Sequence, residues 1–179
     1  MSSTKLPTTN WPTLIDDPDV ATAMFVAVRS VAERSFFAVA EPRDTSTFGA
    51  LAETVPRWLV ATVRFENGPL RGTLSCTLPE NLAHSLFDAF TGRDPAEPAP
   101  ARDLILDLMG EFSNMVCGVW LTHVASRHTF TLSHPTVEAA HAPGDTNGVR
   151  VLAAVDDLPV AVDLCLEPLP EGDIVSARP

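Results

Sequence analysis

The stretch Asp103-Leu104-Ile105-Leu106-Asp107-Leu108-Met109-Gly110-Glu111-Phe112-Ser113-Asn114-Met115-Val116-Cys117-Gly118-Val119-Trp120 decides how the rest of the chain is read. At about 100° per residue, Leu104, Ile105, Leu108, Phe112, Met115 and Val119 fall on one broad apolar arc, which predicts a helix over 101–124. Glu111 and Asn114 lie off the centre of that arc, one turn apart, on a strip shared with Asp107 and Gly118. Gly110 and Gly118 each cost about 1 kcal/mol inside a helix relative to alanine. Glycines kept at such positions often permit close approach of another group. The helix therefore presents a carboxylate beside a carboxamide. A carboxylate can hold a cation such as a partner's lysine, and a carboxamide both donates and accepts, so it can orient a water for attack. The same pair also fits an ordinary solvated helix face, and a spacing this short occurs by chance.

Outward from this helix, the N-terminal side opens with residues 1–15, which read as a flexible lead-in. Asp17 can cap a helix that Pro18 begins, and Val20, Met24, Val28 and Val31 continue it over 18–37. Residues 41–56 hold Pro42, Gly49 and Pro56 and read as a loop with a possible strand start. From Trp58 the apolar period shortens. Residues 58–65 and 70–76 are strands flanking Glu66-Asn67-Gly68-Pro69, and Asn-Gly is a strong hairpin signal. Pro79 opens a helix that ends near Gly92, and the Pro-rich residues 94–100 are a short stiff linker. After the central helix, 128–133 reads as a strand ending at Pro135, and 138–148 as a polar loop. The last two strands are 149–155 and 160–167, joined by 156–159. Helix-then-hairpin thus occurs twice, at an offset of roughly 85–90 residues, which suggests a pseudo-repeat inside one domain.

Composition narrows the function classes. The 179 residues are 45% hydrophobic and 20% charged, as in a globular domain. Formal net charge is −11 and Lys5 is the one lysine, which argues against nucleic acid and against a membrane surface as partners. No apolar run of about 20 residues suggests a bilayer span, and Met1–Trp11 lacks a signal-like apolar core, so a cytoplasmic chain is expected. Cys76, Cys117 and Cys165 each sit in apolar sequence and read as reduced core thiols, with no zinc spacing. There is no P-loop and no dinucleotide fingerprint. His123 and His128 suit a solvated helix end, and His134 before Pro135 reads as a turn residue. Ser113 and Ser133 lack a His/Asp partner by spacing, and Trp58 and Trp120 read as core or interface anchors.

The run from Gly110 to Gly118 resembles the signature helix of the CheX/CheC/FliY family of chemotaxis phosphatases, with Gly110, Glu111, Asn114, Met115 and Gly118 in register. The hairpin with Gly68 and Gly72, the Pro79-led helix and the step Leu132-Ser133-His134-Pro135-Thr136-Val137 also resemble that family's order, over roughly 18–167. The resemblance implies an α/β (α+β) fold of pseudo-repeated helix-plus-hairpin units, about 18–92 and 101–167. Their long helices would pack on a mainly antiparallel sheet within a single domain, 16–179. Members with two sites carry the Glu/Asn pair in both repeats. Here the corresponding places hold Val26 and Arg29, so one site per chain, as in CheX, is implied. It further implies a phosphatase of the aspartyl phosphate of a CheY-like response regulator, with Glu111 contacting the receiver lysine and Asn114 orienting the attacking water. No cofactor is expected in this chain, and Mg²⁺ is expected in the partner receiver domain. Local contacts to that partner would involve Arg93, Arg102 or Arg127, and a homodimer would form through sheet edges of the closing hairpin. Two alternatives remain at this point: a non-catalytic docking module for a response regulator or flagellar switch component, and a small-molecule-binding domain.

Overall fold

The structure, a computed structural model, describes residues 20–68, 70–94 and 96–167. The expected cap at Asp17 and first helical position at Pro18 lie outside them, as does the lead-in. Helix α1 runs Val20–Ser35 and buries Met24, Ala27, Val28 and Val31. It stops where Phe36 and Ala38 both donate to the Ala32 carbonyl and Phe37 turns to φ 55°.

Strand β1 is Ala40–Pro42, and a helix not expected from the sequence, α2, spans Thr45–Ala52. The sequence disguised it. Pro42 and Pro56 flank it and Gly49 interrupts it, yet Asp44 caps it by accepting from the Thr47 N–H at 2.8 Å. Strands β2 (Trp58–Asn67) and β3 (Leu70–Pro79) form the expected hairpin, with Asn67 opposite Leu70 and Gly68 at φ 57°. Helix α3 (Glu80–Thr91) begins one residue after Pro79 and ends on Gly92, whose φ of 66° gives it the left-handed cap.

Helix α4 is Arg102–Val124. By length and composition it is long and apolar enough to cross a bilayer, contrary to the sequence expectation, but it packs on α1, β2 and β3 as the core helix. Its buried face takes in Met109, Val116, Cys117 and Trp120 as well as Leu108 and Phe112, because α4 lies against the sheet on one side and α1 on another. Leu104, expected in the core, is 48% exposed on the strip that holds Asp107 and Glu111.

Beyond α4 the expected strand over 128–133 shrinks to β4, Thr131–Leu132. Strand β5, Thr136–Ala140, paired to β2, takes up the first residues of the loop expected over 138–148. Strand β5 is an edge strand with Thr136, Glu138 and Ala139 exposed, so it has no apolar run to betray it. Strands β6 (Val149–Val155) and β7 (Leu158–Leu166) close the chain. Their turn is only Asp156-Asp157, both with positive φ as a two-residue type I′ hairpin turn requires, and Leu158 already pairs with Val155.

Every strand pairing is antiparallel, in the order β1-β6-β7-β3-β2-β4, with β5 also on β2. The order is symmetric about the β3–β7 pair: β1 lies on the hairpin that follows α4, and β5 on the hairpin that follows α1. Helices α1 and α4 lie side by side, α1 over β6 and α4 over β2, and enclose one main core. On the opposite face α2 lays Phe48 against Trp58 and Ala161. Of the three cysteines, Cys76 and Cys117 are buried as expected, but Cys165 is exposed; alternation along β7 points it away from the core that Leu164 fills.

Candidate functional site

The site is the solvent side of α4 together with residues 133–137, and its precision comes from how α4 is seated. Phe65 stacks its ring over Gly72, where a Cβ would collide with it, and meets Trp120 edge-on at 5.5 Å. Phe112 meets Phe36, just past the end of α1, at 5.5 Å, and Ser113 donates to the Ala61 carbonyl of β2 at 3.4 Å. At the helix start Arg102 bonds Glu80 at 2.6 Å. Helix α4 is thereby fixed in rotation, with Asp107 and Glu111 exposed and Asn114 and Gly118 half-buried.

The second wall is the crossover from β4 to β5. Ser133 is bonded twice to Arg64 of β2: its N–H donates to the Arg64 carbonyl at 2.8 Å, and its hydroxyl accepts from the Arg64 N–H at 3.0 Å. Pro135 lies against α4 so closely that a Cβ at Gly110 would stand 3.2 Å from the Pro135 Cβ. Gly110 is thus explained by this approach. Among the described residues, no atom outside its own helical surroundings would come within 4 Å of a Cβ at Gly118. Between the walls is a cleft of about 470 Å³ into which Asp107, Glu111 and Asn114 face from one side and His134, Pro135 and Val137 from the other.

The chemistry of the cleft is that of a positioning site. Glu111 and Asn114 are brought together on it, as their spacing predicts. The Asn114 Oδ1 is buried and has no hydrogen-bond partner among the described residues, so it is an unmet acceptor in the cleft wall. The thiols beneath α4 are not nucleophiles: burial pushes Cys76 up to about 12, against a hydrogen bond from Ser113, and burial likewise pushes Cys117 up to about 12. Ser113 is buried, and Ser133 is held on Arg64, so neither serine forms a triad with a histidine. Among the described residues no group of three or more His, Cys, Asp or Glu side chains could hold a metal ion.

Other expected contributors are placed elsewhere. Arg93 is bonded to Asp88 at 2.6 Å and to the carbonyls of Glu97 and Pro98, so it ties the linker to α3. Arg102 is engaged by Glu80. These two arginines brace the approach to α4; Arg127 is exposed beyond its end. Trp58 and Trp120 are both core residues. On α1 the exposed strip Thr22, Val26, Arg29 and Glu33 answers to Asp107, Glu111, Asn114 and Gly118, and there Arg29 and Glu33 form a 2.8 Å ion pair in place of a carboxylate–carboxamide pair. Sequence reasoning missed His134 as a cleft residue. The signal was its place between the Ser133 anchor and Pro135, which only the fold makes visible.

The family model described as "Chemotaxis phosphatase CheX" matches residues 59–142, the span from β2 to just past β5. No curated protein matches the chain. Among solved structures, a putative chemotaxis protein from Desulfovibrio vulgaris Hildenborough is similar with a TM-score of 0.63 and 18% identity, over 83% of this chain and 96% of that one. The chemotaxis protein CheX from Vibrio vulnificus gives a TM-score of 0.61 at 16% identity, over 83% of this chain and 97% of that one. A chain from the CheX-CheY-BeF3-Mg²⁺ complex of Borrelia burgdorferi gives 0.56 at 10% identity, over 83% and 98%. At these identities the likeness is one of fold.

Proposed function

We propose that this chain, CheX-like in both its family-model match and its fold, is a phosphatase that accelerates hydrolysis of the aspartyl phosphate of a CheY-like response regulator. The observation that carries the reading is the unmet acceptor Asn114 Oδ1, buried in the cleft wall one turn from Glu111. In this reading Glu111 binds the receiver's active-site lysine and seats α4 over the phosphorylated aspartate. On docking, the Asn114 carboxamide turns its Oδ1 to accept a hydrogen bond from one water and holds that water in line with the acyl phosphate. The water oxygen bonds to phosphorus as the P–O bond to the aspartate breaks, releasing carboxylate, inorganic phosphate and a proton. The receiver supplies the Mg²⁺ that offsets charge on the phosphoryl oxygens. Phosphoryl transfer needs positioning more than covalent chemistry, which suits a cleft without an activated nucleophile.

The reading includes action in the cytoplasm and a homodimer joined through a sheet edge. For the dimer the fold supports a narrower surface than the whole closing hairpin. Strand β7 is interior, between β6 and β3, and β1 covers β6 from Ala153 to Val155, so among the described residues the edge of β6 left without a strand partner is Val149–Val151. The test of function is the rate of phosphate loss from a panel of acyl-phosphorylated receivers, with and without the protein. One receiver is expected to decay faster, and Asn114→Ala to lower that acceleration about 10²-fold or more, as loss of an oxyanion-hole donor does. Glu111→Ala is expected to weaken docking. Binding without acceleration would replace the enzyme by a docking module; no binding to any receiver would remove both.

A further inference from the structure

His134 is exposed, yet its backbone is held more firmly than that of an ordinary loop residue. On one side Ser133 makes two bonds to Arg64, and on the other Pro135 is pressed onto Gly110. The backbone of His134 therefore stands at a fixed place on the cleft rim, and its imidazole lines the cleft with Glu111 and Asn114. The charged side chains of the opposite wall, Asp107 and Glu111, are both carboxylates. Alone they repel an anionic ligand. An aspartyl phosphate site is strongly anionic: a phosphoryl group beside the carboxylates that hold its Mg²⁺. His134 supplies what the carboxylate wall lacks, a ring N–H donor.

We propose that His134 is the residue by which this site distinguishes a phosphorylated receiver from an unphosphorylated one, by donating its ring N–H to the anionic surface around the aspartyl phosphate. The proposal rests on the phosphatase reading for the identity of the partner. His134 acts on affinity, whereas Asn114 acts on the water, so the two separate kinetically. It is a positioning and specificity residue and takes no part in bond making.

The test uses the full chain and the receiver loaded with Mg²⁺ and beryllofluoride as a stable acyl-phosphate stand-in, with unloaded receiver as control. His134→Ala is expected to lower affinity for the loaded receiver about tenfold, the scale of one lost hydrogen bond to a charged group, and to leave binding of the unloaded receiver unchanged. His134→Gln, which keeps an N–H donor, is expected to recover most of that loss. In turnover His134→Ala raises KM about tenfold with kcat within twofold. Equal affinities of wild type and His134→Ala for the loaded receiver overturn the proposal, as does a fall in kcat with KM unchanged. If wild type binds a loaded receiver but speeds decay of none, the phosphatase reading fails while the beryllofluoride titration still decides the role of His134; if it binds no loaded receiver, both are overturned.

Discussion

Gly110 and Gly118 are chemically identical and sit eight residues apart on one helix, yet they have different reasons to be glycine. Pro135 fills the space over Gly110, so a Cβ there is opposed from within the chain. Among the described residues nothing opposes one at Gly118. Gly118→Ala should therefore stabilise the protein by roughly 0.5–1 kcal/mol, the helix-propensity difference, as urea unfolding would report. If the strip docks a receiver, the same change lowers affinity, because the new methyl projects into the interface; unchanged affinity would show that no partner approaches there. At this scale the sequence was legible where spacing alone defines a face: Glu111, Asn114, Asp107 and Gly118 share the strip as 100° geometry requires. Leu104 was misplaced because the apolar arc was centred without Met109, Val116 and Trp120, which α1 and the sheet bury together. Cys165 was misplaced because an apolar neighbourhood in sequence does not tell which face of a strand a residue takes.

Elements were legible when their ends carried their own signals. Asn67-Gly68 set the hairpin register and Gly92 ended α3. Helix α2 had such a signal in Asp44, but its eight residues bury little besides Phe48, too few for a period to show. The Asp44 carboxyl is held below the ordinary carboxylate range, first by the Thr47 backbone N–H and then by the Ser46 hydroxyl. A lowered value in the folded state means that the ionised cap stabilises α2 above the ordinary carboxylate pKa, and that this contribution is lost as pH falls through the lowered one. Asp44→Ala should accordingly speed amide exchange at Thr47 and Phe48 near neutral pH, and the difference from wild type should shrink as acid protonates the cap. A difference that persists at full protonation would mean that the side chain acts other than as an ionised cap. Strand β5 was hidden for another reason: its partner β2 satisfies its backbone, so its side chains are free to be polar.

At the scale of the molecule, the sheet divides into a centre and two margins. Strands β3 and β7 have neighbours on both sides, whereas β1 and β4 are short and marginal. Opening of the centre requires rupture of the main core, so native-state hydrogen exchange should be slowest in β3 and β7 and fastest in β4, with β1 close behind. Uniform protection across all seven strands would contradict that ordering. The helix-plus-hairpin repetition was visible in the chain, but the pairing between units was not, because each marginal strand joins the other unit's hairpin, and no local pattern encodes so distant a partner. That crossed arrangement also has a bearing on biosynthesis. When a ribosome has released residue 140, Glu111 and Asn114 already exist, but β3 still waits for β7 and α1 for the β6 strand it will cover. The face of α1 that will cover β6 then stays open to water until the closing hairpin emerges, whereas α4 already has α1, β2 and β3 to pack on, so the strip with Glu111 and Asn114 can be seated before the sheet is closed.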